Sequence, residues 1–107
     1  MDAIIIFVTC ANKEEAAKIS QALVKDGLAA CVNIIAGIES VFWWEEKVQS
    51  AEEVLLIAKS QKSKLKEIII LVKSMHSYQI PEIIAVPIIG GYQPYLDWIN
   101  DSIRKPH

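Results

Sequence analysis

Residues 29–60 read AACVNIIAGIESVFWWEEKVQSAEEVLLIAKS, and how they pair decides the fold. Apolar, β-rich sequence fills positions 29–35 and reads as a strand. Gly37 interrupts it, but β-rich sequence resumes at once over residues 38–48, so the glycine predicts a kink or bulge rather than a clean turn. Gln49-Ser50-Ala51-Glu52 is the expected turn, and residues 53–60 return as a strand with Val54, Leu55, Leu56 and Ile57 in the core.

Working upstream, residues 4–8 (IIIFV) form a continuous β-branched run. Such a run predicts a central strand, buried on both faces or covered by helices on one face and a partner on the other. Asn12-Lys13-Glu14-Glu15 has a cap residue with Glu three positions on, the signature of a capping box. The helix it opens carries Ala16, Ile19 and Leu23 on one face and stops at Gly27. Downstream, a second helix is expected from about residues 60–63 to Met75, with Leu65, Ile68, Ile69, Val72 and His76 on one stripe. Residues 82–89 predict a last strand that contains Pro87, and since proline cannot donate to a ladder this strand should be an edge. After Gly90-Gly91, the positions Tyr92, Tyr95, Leu96, Ile99 and Ile103 predict a terminal helix.

The order β-α-β-β-α-β plus a helix, with right-handed crossovers, predicts an α+β ferredoxin-like domain spanning residues 1–107, its antiparallel sheet ordered 4-1-3-2. The hairpin is longer than that fold needs. A two-stranded ribbon is not stable alone, so the segment bearing Phe42-Trp43-Trp44 is expected to lie on another subunit.

Composition points the same way. The 107 residues are 52% hydrophobic, with a mean hydropathy of +0.28, a surplus that self-association would cover. A net charge of -2 and a pI near 5.6 argue against a nucleic-acid partner, which usually requires a basic stripe. No 18-residue apolar run is present to span a membrane. The first residues have no positive region, and the run at 4–8 is too short for a signal peptide, so the cytoplasm is the expected location. Two cysteines, Cys10 and Cys31, without a CxxC spacing, fit free thiols in a reducing compartment.

The chemistry-bearing stretch is His76-Ser77-Tyr78-Gln79-Ile80-Pro81-Glu82, an imidazole, a phenol and a carboxylate at a helix-to-strand junction where cheap turn residues are usual. In the expected topology Cys10, His76 and Glu82 meet at one end of the sheet, a donor set that suits copper, zinc or nickel. The blander reading is that His76 caps its helix and Glu82 pairs with a lysine. There is no Ser-His-Asp set, no Gly-rich phosphate loop and no metal motif with an activating Glu, so a binding protein rather than an enzyme is expected. Trp43 and Trp44 must face opposite ways on a strand; with Phe42 and Trp98 they are expected at an interface, while ligand stacking is the sharper alternative.

The blocks LAACVNII (28–35), VFWWE (41–45), EVLLI (53–57), HSYQIPEII (76–84) and YLDWI (95–99) closely resemble the CutA divalent-cation-tolerance family over essentially the whole chain. The resemblance implies a homotrimer of ferredoxin-like subunits joined edge to edge, similar to PII signalling proteins. It also implies a link to tolerance of copper and other divalent cations, and in mammals to membrane anchoring of acetylcholinesterase. It favours Cys31 with His76 as copper ligands. The expected topology puts these two at opposite ends of the sheet, so a shared ion would lie between subunits. Cys31 as a small buried apolar residue is the alternative. The PII-like architecture suggests a second function, a sensor of a small anionic metabolite held in intersubunit clefts by Lys59, Tyr78, Glu82 and Trp44. A Lys59–Glu82 salt bridge is the simpler reading of that pair. The chain departs from the family at Ala36, often Pro; at Glu46, often Gly; and at Tyr92, usually small and polar. An organic cofactor is not expected; Cu(II) or another divalent cation is.

Overall fold

The computed structural model describes residues 2–103. Four strands form one antiparallel sheet: β1 (Ala3–Cys10), β2 (Cys31–Trp44), β3 (Lys47–Gln61) and β4 (Ile83–Pro87). Three helices accompany them: α1 (Lys13–Lys25), α2 (Leu65–Met75), entered through a 3₁₀ turn at Lys62–Lys64, and α3 (Gln93–Ser102). The strand order is β2-β3-β1-β4, the ferredoxin-like arrangement expected from the sequence, with Pro87 on the edge strand.

β1 is central because both of its neighbours pair with it over most of its length, from Ala3↔Gln61 to Cys10↔Val54 on one side and Ile4↔Pro87 to Val8↔Ile83 on the other. Its alternate residues Ile4, Ile6, Val8 and Cys10 face α1 and α2 and are buried with Ala16, Ile19, Leu23, Ile68 and Val72. Ile5, Phe7 and Thr9 point to the other face and are half-buried. α3 lies across that second face against β3 and β1, where Ile99 and Ile103 are buried. Of the expected α3 stripe, Tyr92 and Tyr95 stay exposed.

α1 starts as its sequence dictates, with the Asn12 side chain accepting the Glu15 amide at 2.8 Å. The reciprocal capping bond goes one residue further back, to the Ala11 amide rather than to Asn12. Gly27, at φ +72°, supplies the left-handed residue that ends the helix. Gly37, at φ +79°, sits in the register break between Ile35 and Ile38, so the expected bulge is present.

The turn of the hairpin is not where the sequence suggested. Residues 49–52 are paired, from Phe42↔Gln49 to Glu39↔Glu52, and the chain reverses at Glu45-Glu46. Both glutamates have positive φ, 52° and 63°, the geometry of a tight two-residue hairpin turn. Residues 49–52 alternate between the two faces of a ribbon that packs little on its own chain, and ladder bonds outweigh their turn preference. The seven pairs from Ile38↔Glu53 to Trp44↔Lys47 run beyond the end of β1. The radius of gyration, 14.3 Å, reflects this overhang, since a compact chain of this length would have about 13 Å. On one ribbon face Val41, Trp43 and Val48 are 68%, 73% and 61% exposed.

Candidate metal centre

β1 ends at Cys10, α1 begins three residues later, and α2 ends at Met75, all at one end of the sheet. The right-handed crossovers put these termini together, and three donor side chains converge there: Cys10, Glu15 and His76. One ligand atom from each lies within 4.8 Å of the others. The His76 side chain is fully buried, and its Nδ1 faces a Glu15 Oε2 at 3.8 Å.

Each group is held from behind. His76 Nε2 lies 2.7 Å from the Thr9 carbonyl oxygen. A carbonyl only accepts, so Nε2 carries the proton and Nδ1 the lone pair. That lone pair accepts the Tyr78 amide at 3.1 Å. Glu15 receives the Ala11 amide at 3.1 Å and the Ser77 amide at 2.8 Å. Behind the cluster, the Tyr78 hydroxyl donates to the buried carboxylate of Glu53 at 2.6 Å, and the Tyr78 and His76 rings are 4.8 Å apart.

The electrostatics follow from this packing. Burial pushes the Cys10 thiol up to about 12, with the Glu15 and Glu53 carboxylates adding to the effect. It is therefore a neutral thiol at neutral pH, and a cation bound there would have to replace its proton. Burial also pushes the Glu15 carboxyl up, but the bonds from Ser77 and Ala11, with His76 nearby, more than reverse this and leave it below its ordinary value. Burial raises the Tyr78 phenol, and its bond to Glu53 raises it further.

Thiol, imidazole and carboxylate suit zinc or copper. The Thr9 carbonyl behind the imidazole is the outer partner that metal-bound histidines usually have. The structure thus brings Cys10 and His76 together as the sequence suggested, but it places Glu15, not Glu82, with them. Glu82 is exposed ahead of β4. Glu15, by contrast, is held inward by the Ser77 and Ala11 amides. The capping signature at Asn12–Glu15 masked the second use of this carboxylate. Glu53, hidden in an expected strand start, gave no signal at all.

The remaining candidates lie elsewhere. Cys31 pairs with Lys59, five positions along β3 from the partner of Cys10, which is about 17 Å at the usual strand rise. Both cysteines are free. Lys59 donates to the Asn33 side chain, and Tyr78 to Glu53. Phe42, Trp43 and Trp44 sit on the overhanging ribbon, and Trp98 packs against Tyr95 on α3, ring centres 5.5 Å apart.

A sheet with two helices on one face, one on the other, and a long overhanging hairpin defines an α+β domain of the ferredoxin-like class. The chain belongs to the family described as CutA1 divalent ion tolerance protein, whose profile it matches over residues 4–102. It is 47% identical over 102 residues to the chloroplastic protein CutA 1 of rice, covering 95% of this chain and 58% of that one. The crystal structure of CutA1 from Oryza sativa superposes with a TM-score of 0.94 at 46% identity, over 97% of this chain and 95% of that chain. The periplasmic divalent cation tolerance protein CutA from Archaeoglobus fulgidus gives a TM-score of 0.93 at 42% identity, over 95% and 99% of the two chains. The chain spans little more than half of the rice and Arabidopsis relatives, 58% and 56% of their lengths. Among the described residues, no helix is long and apolar enough to cross a membrane.

Proposed function

We propose that this chain is a trimeric, non-catalytic protein of divalent-cation tolerance that binds a thiophilic cation, chiefly copper, through Cys10, Glu15 and His76. The observation that carries this reading is the convergence of the three donors within 4.8 Å. A donor set of thiolate and imidazole takes copper and zinc ahead of magnesium or calcium. Binding is favoured over catalysis because the sequence carries no Ser-His-Asp set and the Cys10 thiol is fully buried, out of reach of a substrate. Cys31 and Glu82 would join this site only across a subunit boundary. Self-association is supported by the exposed apolar ribbon, and free thiols favour a reducing compartment, the cytoplasm.

The test is calorimetric titration with Zn(II) and, under reducing conditions, copper. Binding should vanish in Cys10→Ser and His76→Gln, weaken in Glu15→Gln, and survive Cys31→Ser. Binding that survives the first two and disappears in Cys31→Ser would move the ion to an intersubunit site. The alternative function, capture of an anionic metabolite, fits the groove beside the hairpin root poorly. That groove, about 550 Å³, is lined by Glu52 and Glu53 with Lys13 as its one cation. Thermal stabilisation by nucleotides or organic acids that is lost in Lys59→Ala would favour it nonetheless.

A further inference from the structure

Tyr78 touches the candidate ion site at one end and the long hairpin at the other. Its amide donates to His76 Nδ1 at 3.1 Å, and its hydroxyl donates to Glu53 Oε2 at 2.6 Å. Glu53 pairs with Ile38, the first pair beyond the Gly37 bulge, so it forms the root of the overhanging ribbon. It is only 7% exposed, and the Tyr78 hydroxyl supplies a hydrogen bond that its buried carboxylate needs.

An imidazole nitrogen has one lone pair in the ring plane. The lone pair on Nδ1, the nitrogen that faces Glu15, is occupied by the Tyr78 amide. Nδ1 cannot hold both that amide and an ion. Resting on the metal-site reading above, we propose that Tyr78 senses occupancy of the site: its amide competes with the ion for His76 Nδ1, and its hydroxyl transmits the outcome to Glu53 at the hairpin root. When the ion is bound, the 77–78 peptide turns away and the phenol is drawn off Glu53, which loosens the ribbon root. When it is absent, Tyr78 bridges both groups and the root is locked. The ribbon carries the exposed Val41, Trp43 and Val48, so cation occupancy would adjust the surface through which copies of this chain meet.

Linkage fixes the sign of the effects, because two events coupled through one residue influence each other equally. Tyr78→Phe keeps the ring and the amide but removes the anchor on Glu53, so vacating Nδ1 becomes easier. Zn(II) titrated into the full chain should bind this variant about fivefold more tightly than wild type, the low end of ordinary coupling between sites. In the wild-type protein, zinc should speed hydrogen exchange at the Tyr78 amide and at residues 37–38 and 52–53. In Tyr78→Phe the hairpin root should not respond. Equal zinc affinity in the two proteins, with no exchange response at the wild-type root, overturns the coupling while leaving the metal site standing. Absence of zinc binding to wild type, or binding indifferent to Cys10→Ser, overturns both. Should the variant fail to fold, the wild-type exchange measurement decides alone, and a Tyr78 amide that stays protected at zinc saturation sinks the proposal.

Discussion

At the scale of single residues, Glu15 does two things at once. It completes the start of α1 and turns a carboxylate toward Cys10 and His76, held by the Ala11 and Ser77 amides. Its folded-state carboxyl ionises more readily than the unfolded one, whose ordinary value is 4.5. The stability this adds is fully present above the unfolded value and is lost as pH falls through the folded one. Urea midpoints should therefore drop as pH falls below Glu15's ordinary value of 4.5, and Glu15→Gln should flatten that dependence. An unchanged slope in the variant would remove Glu15 from the acid response. Two of the three donors of the candidate site were legible in the sequence. Cys10 and His76 were expected together because topology alone places the end of β1 beside the end of α2. Glu15 was legible only as a cap, since one motif explained it completely. The bond between Tyr78 and Glu53 spans 25 positions and leaves no local trace.

At the scale of elements, strands and helices were readable wherever one face is buried, because burial imposes a period of two or about 3.6 on the sequence. The ribbon obeys a weaker rule. Beyond Glu53 neither face packs against this chain's own core, so residues 49–52 kept a turn-like composition while pairing as strand. The true turn at Glu45-Glu46 requires two residues of positive φ, where glutamate is strained and glycine is not. Glu46→Gly should therefore raise stability by about 1 kcal/mol, seen as a higher unfolding midpoint. A lower midpoint would mean that the glutamate side chain makes a compensating contact in the assembly.

At the scale of the whole molecule, the apolar ribbon asks for a neighbour. Light scattering should give a mass near three times 12.0 kDa, with or without metal. Trp44→Ala should cost roughly 3–5 kcal/mol, as large-to-small changes in packed sites do, and should lower the mass on dilution. A variant that keeps both mass and melting temperature would place the contact elsewhere. The position of β1 has a separate consequence for how the protein is made. The strand leaves the ribosome before its pairing partners, residues 54–61 and 83–87. Until residues 54–61 have been made, the run at residues 4–8 has no ladder partner in place. The most β-prone segment of the chain is thus the one that waits longest, and the nascent protein's exposure to chaperones and to aggregation is set by that interval rather than by the stability of the finished fold.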